Sequence, residues 1–164
     1  MITVLFACVH NAGRSQIAAA LFNRYADPAK ARAISAGTQP AERVHPEVVA
    51  AMAARGIDVS ANTPQRLTPD LAQHAQWLIT MGCGDECPVA PGAKRDDWPI
   101  ADPSGQPEPV VIAIIGDIDT RIRALVDRFG VAARPYRAVT SSIRRHKSLT
   151  SIWRHRRGAV ARRG

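Results

Sequence analysis

Between residues 8 and 15 the chain reads Cys8-Val9-His10-Asn11-Ala12-Gly13-Arg14-Ser15, and these residue types at this spacing suit one kind of chemistry. A loop that joins a strand to a helix points several backbone N–H groups at one spot, where the helix dipole adds positive potential, so the segment can cradle a tetrahedral oxyanion. Arg14 can close that cradle with a planar, permanently charged fork that binds two oxygens at once. Cys8, at its floor, sits among N–H donors and a guanidinium, surroundings that suit a nucleophilic sulfur. Ser15 is spaced to donate a hydroxyl hydrogen bond to that sulfur, and Asn11 tolerates the left-handed backbone that such a turn needs. The bland alternative is a buried cysteine that ends a strand, with Arg14 solvated on a helix.

A sulfur that attacks the central atom of an oxyanion needs a proton donor for the departing oxygen, held close to the anion. Asp102, in Asp102-Pro103-Ser104-Gly105, is the candidate, although the same four residues also make an ordinary turn. The other two cysteines are Cys83 and Cys87, in Gly82-Cys83-Gly84-Asp85-Glu86-Cys87-Pro88. Cys-x3-Cys is half of a zinc site, but His45 and His74 are not spaced to complete it. Two inert loop thiols are the other plain reading.

The surrounding chain supplies elements that can position these groups. Residues 2–7 are apolar and largely β-branched or aromatic, the pattern of a strand buried on both faces. Residues 16–26 read as a helix that Asp27-Pro28 ends, 31–36 as a strand, and 46–55 as a helix opened by His45-Pro46, with Val48, Val49 and Met52 on one face and Gly56 at its end. A short helix is predicted from Pro69 to about Gln73 and a strand over 77–81. Residues 95–100 suggest a short strand whose charges fit an edge. From about Pro109 to Phe129, Ile114, Ile118, Ile122, Leu125, Val126 and Phe129 follow helical spacing, with Asp117, Asp119, Arg121, Arg123 and Asp127 opposite. Strands alternating with helices imply an α/β fold, a flavodoxin-like three-layer sandwich of about four parallel strands with helices on both faces. Ligands in such sheets bind beyond the carboxyl ends of the strands, where Cys8 falls.

The pattern Cys-x5-Arg-Ser near the start of the chain, with Asn11 three residues after the cysteine and Asp102-Pro103 much later, resembles the low-molecular-weight tyrosine phosphatase superfamily. Within it, Gln16 directly after Arg14-Ser15, together with Cys83, Cys87, Pro91 and Trp98, resembles the thioredoxin-linked arsenate reductases. The resemblance covers residues 1 to about 129. It implies that Val9, His10, Asn11, Ala12, Gly13, Arg14 and Ser15 bind arsenate, or phosphate or sulfate in its place, and that Cys8 attacks it while Asp102 protonates the departing oxygen. Cys83 then becomes the second thiol and Cys87 the resolving one, with Gly82 and Gly84 letting the loop travel. Such an enzyme holds no bound cofactor or metal and takes electrons from an external thiol reductant: thioredoxin, mycothiol, or glutathione with glutaredoxin. Cys83 and Cys87 stand closer together than in those reductases, which keeps a small external thiol open as the attacker of the adduct. The alternative is a tyrosine phosphatase of the same superfamily. Its members wall the phenol ring with aromatic residues beside the acid, where this chain has Pro103, Ser104 and Gly105.

Composition sets the outer limits. The chain has 164 residues, 46% of them hydrophobic, enough for one domain with a proper core, expected over 1–133. The formal charge of +8 suggests nucleic acid until it is located: residues 134–164 hold ten Lys or Arg and no acid, which leaves 1–133 with twelve basic and fourteen acidic residues, a net −2. That tail is expected to be a disordered, solvated extension, and nucleic-acid contact is expected only through it. No apolar run approaches membrane-spanning length, no Arg/Lys-led signal segment follows Met1, and three cysteines do not make a disulfide framework. A cytoplasmic enzyme without membrane partners is therefore expected.

Overall fold

At the centre of the sheet lies β1 (Ile2–Cys8), whose charge-free run lets it pair on both sides and bury both faces. In the computed structural model, which describes residues 1–83 and 92–133, it is followed by α1 (Arg14–Tyr25), β2 (Ala31–Gly37), α2 (Pro46–Ala53), α3 (Pro69–Gln73), β3 (Trp77–Thr80), β4 (Lys94–Asp97) and α4 (Glu108–Phe129). The sheet order is β2-β1-β3-β4, and every pairing is parallel. After β1 the chain first crosses to β2 on one side, then returns to place β3 on the other. The gap between β1 and β3 is therefore the topological switch point at which open α/β sheets bind ligands.

Register brings the carboxyl ends level. Cys8 pairs with Gly37, Ala7 with Thr80, and Thr80 with Asp97, so the loops after all four strands leave from one row. Side chains alternate across the sheet. Val4, Phe6 and Cys8 face the larger core with α1, α2 and α4, whereas Leu5 and Ala7 face a smaller one with Leu67, Ala72, Leu78 and Cys83. Helices do cover both faces, but unequally: among the described residues, the second face has only the five-residue α3 and its flanking loops.

The covering helix α4 follows its sequence pattern. Ile114, Ile118, Ile122, Leu125 and Val126 are buried, and Gly130 ends the helix in a left-handed conformation at φ 63°. Burying each of these large aliphatic side chains contributes about 1.5–3 kcal/mol relative to leaving it in water.

Several boundaries move from their predicted places, most by one residue, and three of the shifts have a visible cause or consequence. α1 starts at Arg14 rather than Gln16, so the arginine belongs to the first helical turn. α2 stops at Ala53, two residues early, where Gly56 takes φ 72° and turns the chain. The strand expected over 95–100 ends at Asp97, because Trp98 and Ile100 turn inward and are 5% and 6% exposed. Cys87, Gly84 and Pro91, and the basic segment 134–164, lie outside the described residues. Among the described residues, no helix is long and apolar enough to cross a membrane.

Candidate active site

At the sheet's carboxyl edge, the turn into α1 is held by the carbonyl oxygens of residues 8–13. Cys8 O accepts from Thr38 N at 3.2 Å, Val9 O from Gln39 N at 2.8 Å, and His10 O from Ala41 N at 2.9 Å. Asn11 O accepts from Gln16 Nε2 at 3.1 Å, Ala12 O from His45 N at 2.9 Å, and Gly13 O from Ile17 N at 3.0 Å. With six successive carbonyls bonded outward, the backbone N–H groups are left for the concave side. Among the described residues, none of the N–H groups of residues 9–15 donates to a protein acceptor. A backbone turned in this way presents positive potential to whatever enters it.

Asn11 makes the turn possible. It is the one non-glycine residue with positive φ among the described residues, at 49°, and its side chain is used on both ends: Oδ1 accepts from Gln65 N at 2.9 Å and from Gln16 Nε2 at 3.3 Å, while Nδ2 donates to Ser15 Oγ at 2.7 Å. Because Ser15 Oγ receives that hydrogen, its own is free to point at Cys8 Sγ, 3.0 Å away. Cys8 is a free thiol, 2% exposed, at the floor of the loop. A hydroxyl donating to sulfur suits both a nucleophile and a later leaving group carrying negative charge.

Arg14 is turned in, not out. Its guanidinium donates from Nη2 to Asp102 Oδ2 at 2.9 Å and from Nη1 to the carbonyl of Ile100 at 3.3 Å, and the residue is 9% exposed. The inward turn at Trp98–Ile100 is what brings that carbonyl and Asp102 to the arginine. Asp102 Oδ1 accepts from Ser104 N at 3.0 Å, so the expected turn sequence and a carboxylate beside the anion loop are the same structure. The carboxylate is less enclosed than the expected role suggests, with 43% of its side chain exposed.

Two glycines make room for this arrangement. A Cβ on Gly37 would lie 2.5 Å from the carbonyl oxygen of Val9 and 2.8 Å from Asn11 N, so only glycine at the end of β2 lets the loop cross. A Cβ on Gly82 would lie 2.5 Å from Arg14 Nη1, and Gly82 has φ 79°. Gly82 was expected only as a hinge; its packing against the guanidinium is a second requirement. Gly37, Gln65 and the Ile100 carbonyl had no signal in sequence beyond the general one that glycine at a strand end permits close approach.

Cys83 is 5% exposed and disulfide-bonded, with its Sγ 3.9 Å from the carbonyl oxygen of Ala7, the residue before Cys8. Cys87 lies outside the described residues. His10 is exposed, so it points away from the packed interior of the loop.

The chain is similar in sequence and in fold to several known proteins. The family described as low molecular weight phosphotyrosine protein phosphatase matches residues 3–134. Arsenate reductase 1 of Bacillus cereus is 34% identical over 125 residues, 74% of this chain and 91% of that protein. The glutaredoxin arsenate reductase of Synechocystis is 31% identical over 126 residues, 75% of this chain and 95% of that protein. The thioredoxin-dependent arsenate reductase Cg_ArsC1' of Corynebacterium glutamicum superposes with a TM-score of 0.69 at 42% identity. The match covers 79% of this chain and 62% of that one, so this chain spans less than two thirds of its length.

Proposed function

The chain belongs to the low molecular weight phosphotyrosine protein phosphatase family, and on that premise we propose that it reduces arsenate to arsenite through an adduct on Cys8. The observation that carries this reading is the pairing of a free Cys8 thiol with a disulfide-bonded Cys83 packed against the residue before it. A phosphatase needs the first sulfur only. Arsenate reduction needs somewhere to pass two electrons' worth of oxidation.

Arsenate settles among the N–H groups of residues 9–15 and exchanges Arg14's protein partners for its own oxygens. Cys8 Sγ attacks arsenic, a sulfur–arsenic bond forms, and an arsenic–oxygen bond breaks with the oxygen protonated by Asp102 and released as water. Arsenic is still pentavalent in this adduct. A second thiolate then attacks Cys8 Sγ, a disulfide forms, and the sulfur–arsenic bonding pair leaves with arsenic, which departs as arsenite. Once an external thiol reductant has opened the disulfide that Cys83 makes in this structure, Cys83 is that second thiol and Cys87 passes the new disulfide outward. A reductant of the thioredoxin class returns two electrons, with glutaredoxin and glutathione or mycothiol as the alternatives. The names of the Corynebacterium and Synechocystis relatives support an external thiol donor of this class. The reading places the enzyme in the reducing cytoplasm, assigns catalysis to residues 1–133 and gives no step to the basic segment 134–164.

Hydrolysis of phosphomonoesters is the second reading, and it rests on the family match and on a site that accepts any tetrahedral oxyanion. The deciding experiment measures arsenate-dependent oxidation of thioredoxin, of glutaredoxin with glutathione, and of mycothiol, beside hydrolysis of phenyl phosphate. Cys8→Ser should abolish both activities. Cys83→Ala should abolish arsenate turnover with thioredoxin and leave any ester hydrolysis intact. Equal rates for Cys83→Ala and the unaltered protein would reject the relay, and ester hydrolysis without arsenate reduction would favour the phosphatase.

A further inference from the structure

The nucleophile loop and the loop that carries Asp102 are tied to the same place, the first turn of α2. The N–H of His45, which precedes that helix, holds the carbonyl of Ala12 at 2.9 Å. Two residues later Glu47 Oε1 accepts from Gly105 N at 2.6 Å. Between the two ties Pro103 is buried against Gly13, so closely that a Cβ on Gly13 would lie 2.8 Å from Pro103 Cγ and 3.5 Å from the His45 ring.

Asp102 Oδ2 is bound to Arg14 and its Oδ1 to Ser104 N, and the turn closes through Gln106 N to Pro103 O at 3.2 Å. The far end of the loop is exposed from Ser104 onward. Gly105 itself has φ 66° with no atom near the position of a side chain, so the Glu47 carboxylate is what holds that end. Glu47's carboxyl is held below the usual glutamate range, first by its own backbone N–H and further by Gly105 N–H and the nearby His45, while burial and Asp102 oppose this. It is therefore an ionised acceptor at neutral pH, and a hydrogen bond to a charged acceptor is among the stronger kinds.

We propose that Glu47 is a positioning residue for proton delivery: by gripping Gly105 N–H it sets where the Asp102 carboxyl stands over the Cys8 loop. This rests on the reading in which Asp102 protonates the departing oxygen. Glu47 does not touch the anion. It acts through the loop, and α2 fixes the separation of acid and nucleophile by holding one loop with His45 and the other with Glu47.

The test uses the full chain with Glu47→Ala, Glu47→Gln, Asp102→Asn and the double variant Glu47→Ala/Asp102→Asn. In Glu47→Ala, kcat for arsenate should fall roughly tenfold, part of the approximately 10²–10⁴-fold that a positioned acid supplies. KM for arsenate, inhibition by inorganic phosphate and the rate of Cys8 alkylation by iodoacetamide should stay unchanged. Glu47→Gln keeps an amide oxygen for Gly105 N–H and should retain kcat within about twofold, which a general loss of folding cannot imitate. The double variant should be no slower than Asp102→Asn alone, since two residues acting through one step are not additive. Unchanged kcat in Glu47→Ala beside a slow Asp102→Asn, or multiplied losses in the double variant, overturns the positioning role alone. An Asp102→Asn protein with full arsenate turnover overturns the acid assignment itself, and the positioning role with it.

Discussion

Ser15 illustrates how much of this site depends on single hydrogen atoms. Its hydroxyl is aimed by Asn11, and Asn11 is aimed by the Gln65 backbone N–H and the Gln16 amide, so two neutral side chains and one backbone N–H orient one donor toward Cys8. At the same scale Gly82 does for Arg14 what no other residue could. Its positive φ and its contact with Nη1 are separable by experiment, because Gly130 has a similar φ of 63° and no atom near its missing side chain. Gly82→Ala and Gly130→Ala should each lose about 1–2 kcal/mol in urea unfolding, the cost of a left-handed conformation with a Cβ. Only Gly82→Ala should also raise KM for arsenate, by displacing the guanidinium. An unaltered KM in Gly82→Ala would mean that Arg14 reaches the anion equally well from elsewhere.

Among the elements, β2 has an open edge whose backbone groups are bonded by side chains. The backbone N–H and C=O of Ala33, which face the open edge while its side chain is buried, are gripped by Asn23 of α1, whose Oδ1 accepts from Ala33 N at 2.7 Å and whose Nδ2 donates to Ala33 O at 3.0 Å. One amide thus satisfies the two groups that a neighbouring strand would take. Farther along, Gln65 Nε2 donates to Ser35 O at 2.8 Å, and Gln65 O accepts from Gly37 N at 2.9 Å. The opposite edge, β4, is short and carries Lys94, Arg95, Asp96 and Asp97, charges that discourage pairing with another sheet. Asn23→Ala is expected to cost roughly 1–3 kcal/mol, two hydrogen bonds at about 0.5–1.5 kcal/mol each. The bared edge should also promote self-association, detectable by light scattering. Full stability and a monodisperse solution would show that the edge needs no such cover.

Across the whole molecule, the chemistry and the pH-sensitive fastening sit apart. Tyr25 ends α1, the helix whose first residue is Arg14, so the two are separated by roughly 16 Å at about 1.5 Å per residue. Tyr25 donates to Asp119 Oδ1 on α4, and Arg123 on the same helix donates to Asp119 Oδ2 at 2.8 Å and to Tyr25 Oη at 2.7 Å. Burial, then the bond to Asp119 and its charge, raise Tyr25 above its ordinary value of 10.0, with Arg123 partly offsetting them. Burial pushes Asp119 up, but the bonds from Arg123 and Tyr25 and the charges of Arg123 and Arg55 outweigh it and leave it below its ordinary 3.8. For Asp119 the unfolded chain binds more protons, so its contribution is present above about pH 3.8 and is lost as pH falls through the folded value. For Tyr25 the sign reverses: the contribution is present below about pH 10.0 and is lost as pH rises through the folded value. Asp119→Asn should therefore lose stability at pH 6 and show a smaller further loss than the unaltered protein between pH 6 and pH 3. Parallel denaturation midpoints across that range would remove the cluster from the acid response.

The loop proposed to bind the anion was legible in the sequence because it is contiguous. Cys8, Asn11, Arg14 and Ser15 are within one strand–loop–helix, so their residue types can be read together from a single stretch, although distant residues hold its backbone in place. The same holds for α4, whose apolar spacing is a local period. Pairing across the sheet is not local. Gly37 must lie opposite Cys8 before its missing side chain matters, Gly82 matters only once β3 lies beside β1, and Glu47 reaches Gly105 over 58 residues. The edge strand stopped three residues short for the same reason: Trp98 and Ile100 are drawn inward by a core and by an arginine that their own neighbours do not reveal. Sequence by itself determined which residue types are available for the proposed chemistry, since reactivity and short-range geometry travel with residue type. Only the tertiary structure decided what holds those atoms at working distance, since that depends on which strands and loops become neighbours.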